Sequence, residues 1–427
     1  MTRVTAAVRT TFRSLRYRNY RLFFTGQLIS QAGTWLTMIA LVLLVLHRTN
    51  KNGLAIGLLT ACQFAPILVL GAFGGLVADR CDKRKLLLVT QTLEMLQSFG
   101  LAALAFVPGM PLIAFYLMAL AGGTMLAFDN PARRSFVSEM TPKEDLQNAV
   151  TLNSALMTSS RVIGPAIAGL LVVTTGYGWC FTIDAISYLA VIASLWVMRT
   201  EELYPAPAAS RARGQVREGL RYVRRVPDLR IPLVMMTVVG LLTFNFSVVI
   251  PLFVEKTLGG SDGTYTLLYS VLSLGSLAGA LFASHRHFIG IRTIVVAALG
   301  FGATMMVFSA APNLATSFPI ALVVGFASVM FMTSSSAVVQ LRAAPSMRGR
   351  VLALQAIVFI GSTPIGGPIL GAVCDQFGAR GGLVVGGVAA LAAGAWGARA
   401  IRHMPEGKGD VTTVDALQAE TTEMEVA

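Results

Sequence analysis

The sequence predicts an all-α membrane protein, with twelve transmembrane helices in two pseudo-symmetric six-helix halves. Three observations carry that prediction. Apolar residues come in long blocks rather than at amphipathic spacing, basic residues return on every second loop, and a set of glycines, prolines and phenylalanines repeats at one offset. Apolar residues fill 55% of the 427 positions and charged residues only 13%, the balance of a polytopic membrane protein.

A spanning helix needs about 20 mainly apolar residues. In the first half such stretches lie near 21–46, 54–78, 86–107, 111–128, 149–174 and 178–198. In the second they lie near 231–254, 264–284, 290–311, 315–337, 349–373 and 380–400. The formal charge of +13 would suit nucleic acid, but the placement of the basic residues argues against it. Arg3, Arg9, Arg13, Arg16, Arg18 and Arg21 precede the first span. Arg80, Lys83, Arg84 and Lys85 follow the second, and every later even loop is basic, whereas the odd loops hold only Arg48, Lys51, Lys256 and Arg380. By the positive-inside rule both termini are then cytoplasmic, which requires an even number of crossings. The arginine-rich N-terminus runs directly into a full-length apolar helix, so no cleavable signal is expected. The four cysteines, Cys62, Cys81, Cys180 and Cys374, lack metal-ligand spacing, and no metal site is expected.

This reading divides the chain into a cytoplasmic N-terminal segment (1–20), an N-terminal six-helix half (21–198), a basic cytoplasmic linker (199–230), a C-terminal half (231–401) and an acidic cytoplasmic tail (402–427). In the linker, Val216, Leu220 and Val223 fall at helical spacing within a basic stretch, so it either lies along the anionic inner leaflet or stays solvated. A shift of 203 residues brings Gly164-Pro165 onto Gly367-Pro368, Pro142 onto Pro345, Gly122 onto Gly325, Phe115 onto Phe318 and Phe128 onto Phe331. A shift of 204 places Gly71 and Gly75 on Gly275 and Gly279. Duplicated halves of this kind place a substrate site at their interface near the bilayer midplane. The chain has no Gly-x-x-x-x-Gly-Lys-Ser/Thr loop, so neither a nucleotide nor any other cofactor is expected, and energy would come from an ion gradient or from downhill movement of cargo.

The most informative segment is Gly75-Leu76-Val77-Ala78-Asp79-Arg80-Cys81-Asp82-Lys83-Arg84-Lys85, a charged turn between two apolar runs. It resembles the loop signature of the major facilitator superfamily between helices two and three, although Asp82 stands where that pattern usually has glycine and Val77 where it has leucine. Asp129-Asn130-Pro131-Ala132-Arg133, Thr141-Pro142-Lys143-Glu144-Asp145-Leu146 with Asn148-Ala149, Arg161-Val162-Ile163-Gly164-Pro165 and Met347-Arg348-Gly349-Arg350-Val351 resemble the enterobactin-exporter and macrolide-efflux branch. The resemblance covers roughly residues 14–402. It implies an alternating-access transporter in the cell (inner) membrane that exports an amphipathic or moderately apolar small molecule, of drug or siderophore type, in exchange for protons. Its expected partners are that cargo and the lipid bilayer, with no nucleic acid and no nucleotide, and a monomer is expected. A symporter importing a small nutrient and a non-transporting membrane partner or sensor are the alternatives. An enzyme is not expected, because no His, Asp, Glu or nucleophile clusters near a membrane face.

The resemblance also implies a cytoplasmic latch made of Gly75, Asp79, Arg80, Arg84, Asp129 and Arg350. Asp79 would face the start of helix eleven at Arg350, where a helix N-terminus favours an anion, and Arg84 or Arg80 would pair with Asp129. A solvated turn that only fixes topology is the alternative. Arg161, Gly164, Pro165 and Gly169 resemble the glycine-proline signature of antiporters, or serve plain helix packing. Glu94, Arg161 and Asp184 are the charges inside predicted spans and form either a structural ion pair or a proton-coupling site. Gln27, Ser30, Gln31 and Thr34 make a polar stripe on helix one that faces a cavity or a neighbouring helix. Asn245, Phe246, Met118 and Met330 complete the candidate cavity, although ordinary packing accounts for such residues equally well.

Overall fold

The computed structural model of the chain describes residues 12–204, 215–284, 288–402 and 412–413. Arg3 and Arg9, the linker prolines Pro205 and Pro207, His285 to His287, His403 and the tail acids Asp410, Asp415, Glu420, Glu423 and Glu425 lie outside the described residues. Helices α1 (Arg18–Arg48), α2 (Gly53–Arg80), α3 (Lys83–Phe106), α4 (Leu112–Phe136), α5 (Leu146–Thr175) and α6 (Tyr177–Val197) come first. A short helix α7 (Gln215–Arg225) precedes α8 (Pro227–Leu242), α9 (Phe246–Leu252), α10 (Asp262–Ser284), α11 (Ile291–Ser309), α12 (Leu314–Arg342) and α13 (Pro345–Arg402). Eleven helical runs among the described residues are long and apolar enough to cross a membrane. A helix satisfies every backbone donor and acceptor internally, which hydrocarbon demands.

Three elements differ from the sequence expectation. Span four was expected to end near 128, but α4 continues to Phe136 and so takes Asp129 and Arg133 into the helix. Their side chains, one turn apart, pair at 3.4 Å. Span seven was expected to be continuous, but the helix stops at Leu242 and restarts at Phe246. At the break the Thr243 hydroxyl donates to the Gly386 carbonyl at 2.8 Å, and the Asn245 amide donates to the Leu241 carbonyl at 2.8 Å. The second bond satisfies a carbonyl that the interrupted helix leaves open, and the first ties the break to α13. Spans eleven and twelve form one run, α13, broken at Gly378 with φ 76° and ψ 166°, a conformation that glycine adopts without strain.

By contacts the chain forms two compact units, one of residues 1–48 and 62–210, the other of 49–61 and 211–427. In the first unit α1 packs on α5 and α6, and α3 packs on α4 and α6. α2 meets α4 where Gly74 faces the Ala127 carbonyl and Gly123 faces the Gln63 carbonyl, so closely that a Cβ at either glycine would overlap backbone. Pro131 has no N–H to donate to that Ala127 oxygen, so the carbonyl that Gly74 approaches is one the helix leaves unbonded.

The 3₁₀ turn Arg13–Arg16 is held at the start of α5. Arg13 and Arg16 both pair with Asp145, Tyr17 donates to the same carboxylate at 2.7 Å, and the Ser14 hydroxyl donates to Asn148 Oδ1 at 2.7 Å. The Asp145 and Asn148 of the sequence motif thus anchor the N-terminal turn.

In the second unit α10 packs on α12, and α11 and α8 pack on α13. Gly275 faces the Leu322 carbonyl and Gly325 the Leu272 carbonyl in another backbone-to-backbone approach. The linker helix α7 is docked: Val223 is buried with Leu229, Leu233, Val339, Ala343, Val351 and Leu354, and the Tyr222 hydroxyl accepts from the Ala344 amide at 3.2 Å. Phe288–Ile289 pairs antiparallel with Thr412–Thr413 of the tail.

Candidate functional site

The first unit buries charge. Asp129, Glu94 and Arg133 are 1%, 7% and 8% exposed, on helices whose outer faces are apolar. With a rise of about 1.5 Å per residue, Glu94 lies about 16 Å along α3 from its first residue, Lys83. One Asp129 oxygen accepts from Thr90 Oγ1 at 3.0 Å and from Gln91 Nε2 at 2.8 Å. The other faces Arg133 Nε at 3.4 Å. Gln91 Nε2 also donates to Glu94 Oε2 at 3.1 Å, so one amide links the two carboxylates. Arg133 extends the network to α1 by donating to Gln27 Oε1 at 3.2 Å, and it donates to Asn130 Oδ1 at 2.7 Å. Gln31 Nε2 approaches the same Gln27 oxygen at 3.5 Å.

One guanidinium thus pairs with Asp129, and Gln91 ties the second carboxylate, Glu94, to that pair. With both ionised the cluster carries one net negative charge inside a membrane-spanning bundle, and one proton cancels it. Buried charge in such a place is costly unless it is compensated, and the hydrogen bonds of Thr90, Gln91 and Gln27 fix where each acceptor points. Those are the properties a proton site needs.

The sequence motif Asp129-Asn130-Pro131-Ala132-Arg133 now has local meaning. Asp129 and Asn130 hold the guanidinium, and Pro131 frees a carbonyl for the α2 approach. Sequence reading placed Arg133 in a loop and passed over Thr90 and Gln91; the Asp-x-x-x-Arg spacing of a helical ion pair was the signal available.

The structure does not bring Arg161 to Glu94 or Asp184. Arg161 is exposed, its guanidinium carbon 6.0 Å from the Trp35 ring centroid. Gly164 presses on that Trp35, leaving no room for a Cβ, and Pro165 and Gly169 are buried in α5. Asp184 instead accepts from Thr37 and Ser98.

At the charged turn, α2 ends at Arg80 and α3 starts at Lys83. Asp82 caps α3 by accepting from the Lys85 amide at 3.1 Å, which gives the residue in the glycine position a purpose of its own. Lys83 pairs with Glu139 at 2.6 Å. Arg84 donates to the Leu195 and Trp196 carbonyls at 2.7 and 3.3 Å, at the C-terminus of α6 where a cation is favoured, and Asp129 takes Arg133 as its partner instead of Arg84. Gly75 and Asp79 are half-buried and Arg80 is exposed. Arg350 pairs with Glu218 of the linker helix at 2.7 Å and donates to Met347 Sδ at 2.9 Å.

In the second unit Asn245 and Phe246 are buried at the helix break. The Phe244 ring lies 5.1, 5.3 and 6.0 Å from the centroids of Phe359, Phe301 and Phe246. Met330 is buried and Met118 half-buried. One acid that sequence reading passed over, Asp375, accepts from the Gly53 and Leu54 amides at 2.7 and 2.9 Å. It caps the N-terminus of α2 while Lys256 stands 4.0 Å away.

Comparison with known proteins agrees with this architecture. The staphyloferrin A transporter of Staphylococcus aureus is 23% identical over 84% of this chain and 90% of its own. The multidrug efflux pump Tap of Mycolicibacterium fortuitum is 25% identical over 84% of this chain and 89% of its own. Among solved structures, a D-xylose-proton symporter superposes with a TM-score of 0.73 at 16% identity, covering 93% of this chain and 99% of that one, a likeness of fold alone. The family model described as transmembrane secretion effector matches residues 9–427. An all-helical chain of many apolar spans, glycine-tight helix crossings and the charged turn after α2 thus belongs to the transmembrane secretion effector family of the major facilitator superfamily, and is a transporter rather than an enzyme.

Proposed function

We propose that this protein is a secondary active exporter that moves an amphipathic or moderately apolar small molecule out of the cell in exchange for protons. The observation that carries the reading is the buried cluster in which Asp129 pairs with Arg133 and Gln91 links Asp129 to Glu94. It offers one proton a place inside the bundle, with hydrogen-bonded partners on α1, α3 and α4. The relatives include a siderophore transporter and a multidrug pump by name, which supports a cargo of that class. Counting the two arms of α13 on either side of Gly378 as separate crossings gives twelve. The repeat at an offset of 203 and the glycine crossings of α2 with α4 and of α10 with α12 support duplicated halves. The basic even loops support cytoplasmic termini in the inner membrane.

The test uses inverted membrane vesicles carrying a pH gradient. Compounds of siderophore and drug type accumulate, and accumulation collapses when the gradient is dissipated. Accumulation indifferent to the gradient would overturn proton exchange; an absence of accumulation for every amphipathic compound would overturn the cargo class.

A further inference from the structure

One buried acid takes no part in the arginine-paired cluster. Asp184 is 1% exposed, the eighth residue of α6, about 10 Å along the helix from its start. Its Oδ2 accepts from Thr37 Oγ1 on α1 at 2.6 Å and from Ser98 Oγ on α3 at 2.8 Å. Its Oδ1 is buried and has no hydrogen-bond partner. One turn on, the Ser187 hydroxyl donates to the Asp184 carbonyl at 2.7 Å. Gly33 on α1 packs directly against this group, since a Cβ there would collide with Asp184 Oδ1 and Ser187 Oγ.

Among the described residues no cation pairs with Asp184. Glu94 on α3 and Tyr188 on α6 are the titratable groups in electrostatic reach of it, and neither supplies positive charge. Arg161, on the neighbouring α5, is engaged with Trp35. A charged carboxylate so placed needs compensation, and among the described residues it receives only the hydroxyl hydrogen bonds of Thr37 and Ser98.

The donors around it are all oxygens: both carboxylate oxygens, three hydroxyls and a backbone carbonyl, drawn from α1, α3 and α6. Oxygen-only sets suit hard cations rather than zinc or copper, which prefer nitrogen and sulfur. A single carboxylate matches a single positive charge, whereas calcium sites commonly gather several acidic ligands. We propose that Asp184, with Thr37, Ser98 and Ser187, forms a binding site for a monovalent hard cation, Na⁺, separate from the proton cluster around Asp129.

The experiment measures thermal unfolding of the purified full-length protein in detergent, comparing NaCl with choline chloride at equal ionic strength and fixed pH. Sodium raises the unfolding temperature of the wild type by about 2 °C or more, in a saturable way, and Asp184→Asn and Ser98→Ala lose that rise. Equilibrium binding of radioactive sodium to the wild type requires no variant and gives saturable uptake that unlabelled sodium displaces. Equal unfolding temperatures in the two salts, no displaceable sodium, or a sodium response that survives Asp184→Asn would each overturn the proposal. A wild type that responds to pH and not to sodium would show that the carboxylate carries a proton instead, and overturns it too. None of these results depends on the vesicle assay, so the two proposals fail separately.

Discussion

Buried polar chemistry in the first unit is ionic. Glu94, Asp129, Arg133 and Asp184 all lie inside its helices, each less than one-tenth exposed. In the second unit the buried acids stand at or beyond helix ends, Asp228 with Arg342 and Glu255 with Lys51, each pair at 3.6 Å, while the residues buried around its helix break, Thr243, Asn245 and Ser362, are neutral, and Phe244 collects Phe246, Phe301 and Phe359 about itself. At the offset of 203 that aligns the two halves of the sequence, Asp129 and Arg133 fall on Met332 and Ser336. In both units glycines let helix backbones touch, while the buried acids well inside long helices, Glu94, Asp129 and Asp184, belong to the first. On the proposed function, ion handling falls to the first unit and apolar recognition to the second.

That contrast can be broken by mutation. The largest effect is expected from Asp129→Ala, which leaves Arg133 buried without its carboxylate and strips Thr90 and Gln91 of an acceptor. A loss of about 3 kcal/mol or more is expected, seen as a lowered unfolding temperature together with loss of transport. Unchanged stability would mean that the cluster does not hold α1, α3 and α4 together. Next comes Phe244→Ala, which empties the middle of the ring cluster at an expected cost of about 3 kcal/mol. Transport across a series of apolar compounds should change in selectivity while keeping its pH dependence; a changed pH dependence would erase the division between the units.

Glu94→Gln sharpens the comparison. The amide keeps its size and its contact with Gln91, so the protein should fold with nearly normal stability, yet flux driven by a pH gradient should be lost. Retained gradient-driven flux would move the proton site elsewhere. The smallest effect is expected at the charged turn, where Asp82→Ala removes the cap of α3 for about 1 kcal/mol. Asp82→Gly, which restores the residue usual in the family, should cost only a few tenths. Unfolding measurements on the two variants separate capping from any role in transport.

Much of the fold was legible in the sequence because hydrophobic length is a local property. The apolar runs of α1 to α6 match their expected spans to within a few residues, except at α4. There a charged sequence stayed helical because its acid and base neutralise each other one turn apart. The break at Thr243 was hidden inside a mainly apolar run; at it the Thr243 hydroxyl bonds Gly386, more than a hundred positions away. The site was half legible. Glu94, Asp184 and Gln27 stood out as polar residues in apolar surroundings, and Asp129 through its motif at the end of span four, but their partners did not. Arg161 looked like the natural counter-charge and proved to be exposed against Trp35, whereas Arg133 looked like a loop residue and proved to be the buried cation.

The sequence by itself determined that this chain lives in a membrane, which runs are long and apolar enough to cross it and which family it belongs to. Hydrocarbon admits only long apolar helices, and the sign of each loop's charge is written in its composition. Only the tertiary structure decided which charge meets which. Pairing depends on how each helix is rotated about its axis and how far it slides along its neighbour. Those two quantities are set by the summed packing of whole helices, so Arg133 found Gln27 on α1, Arg84 found the end of α6, and Asp184 was left to the hydroxyls of Thr37 and Ser98.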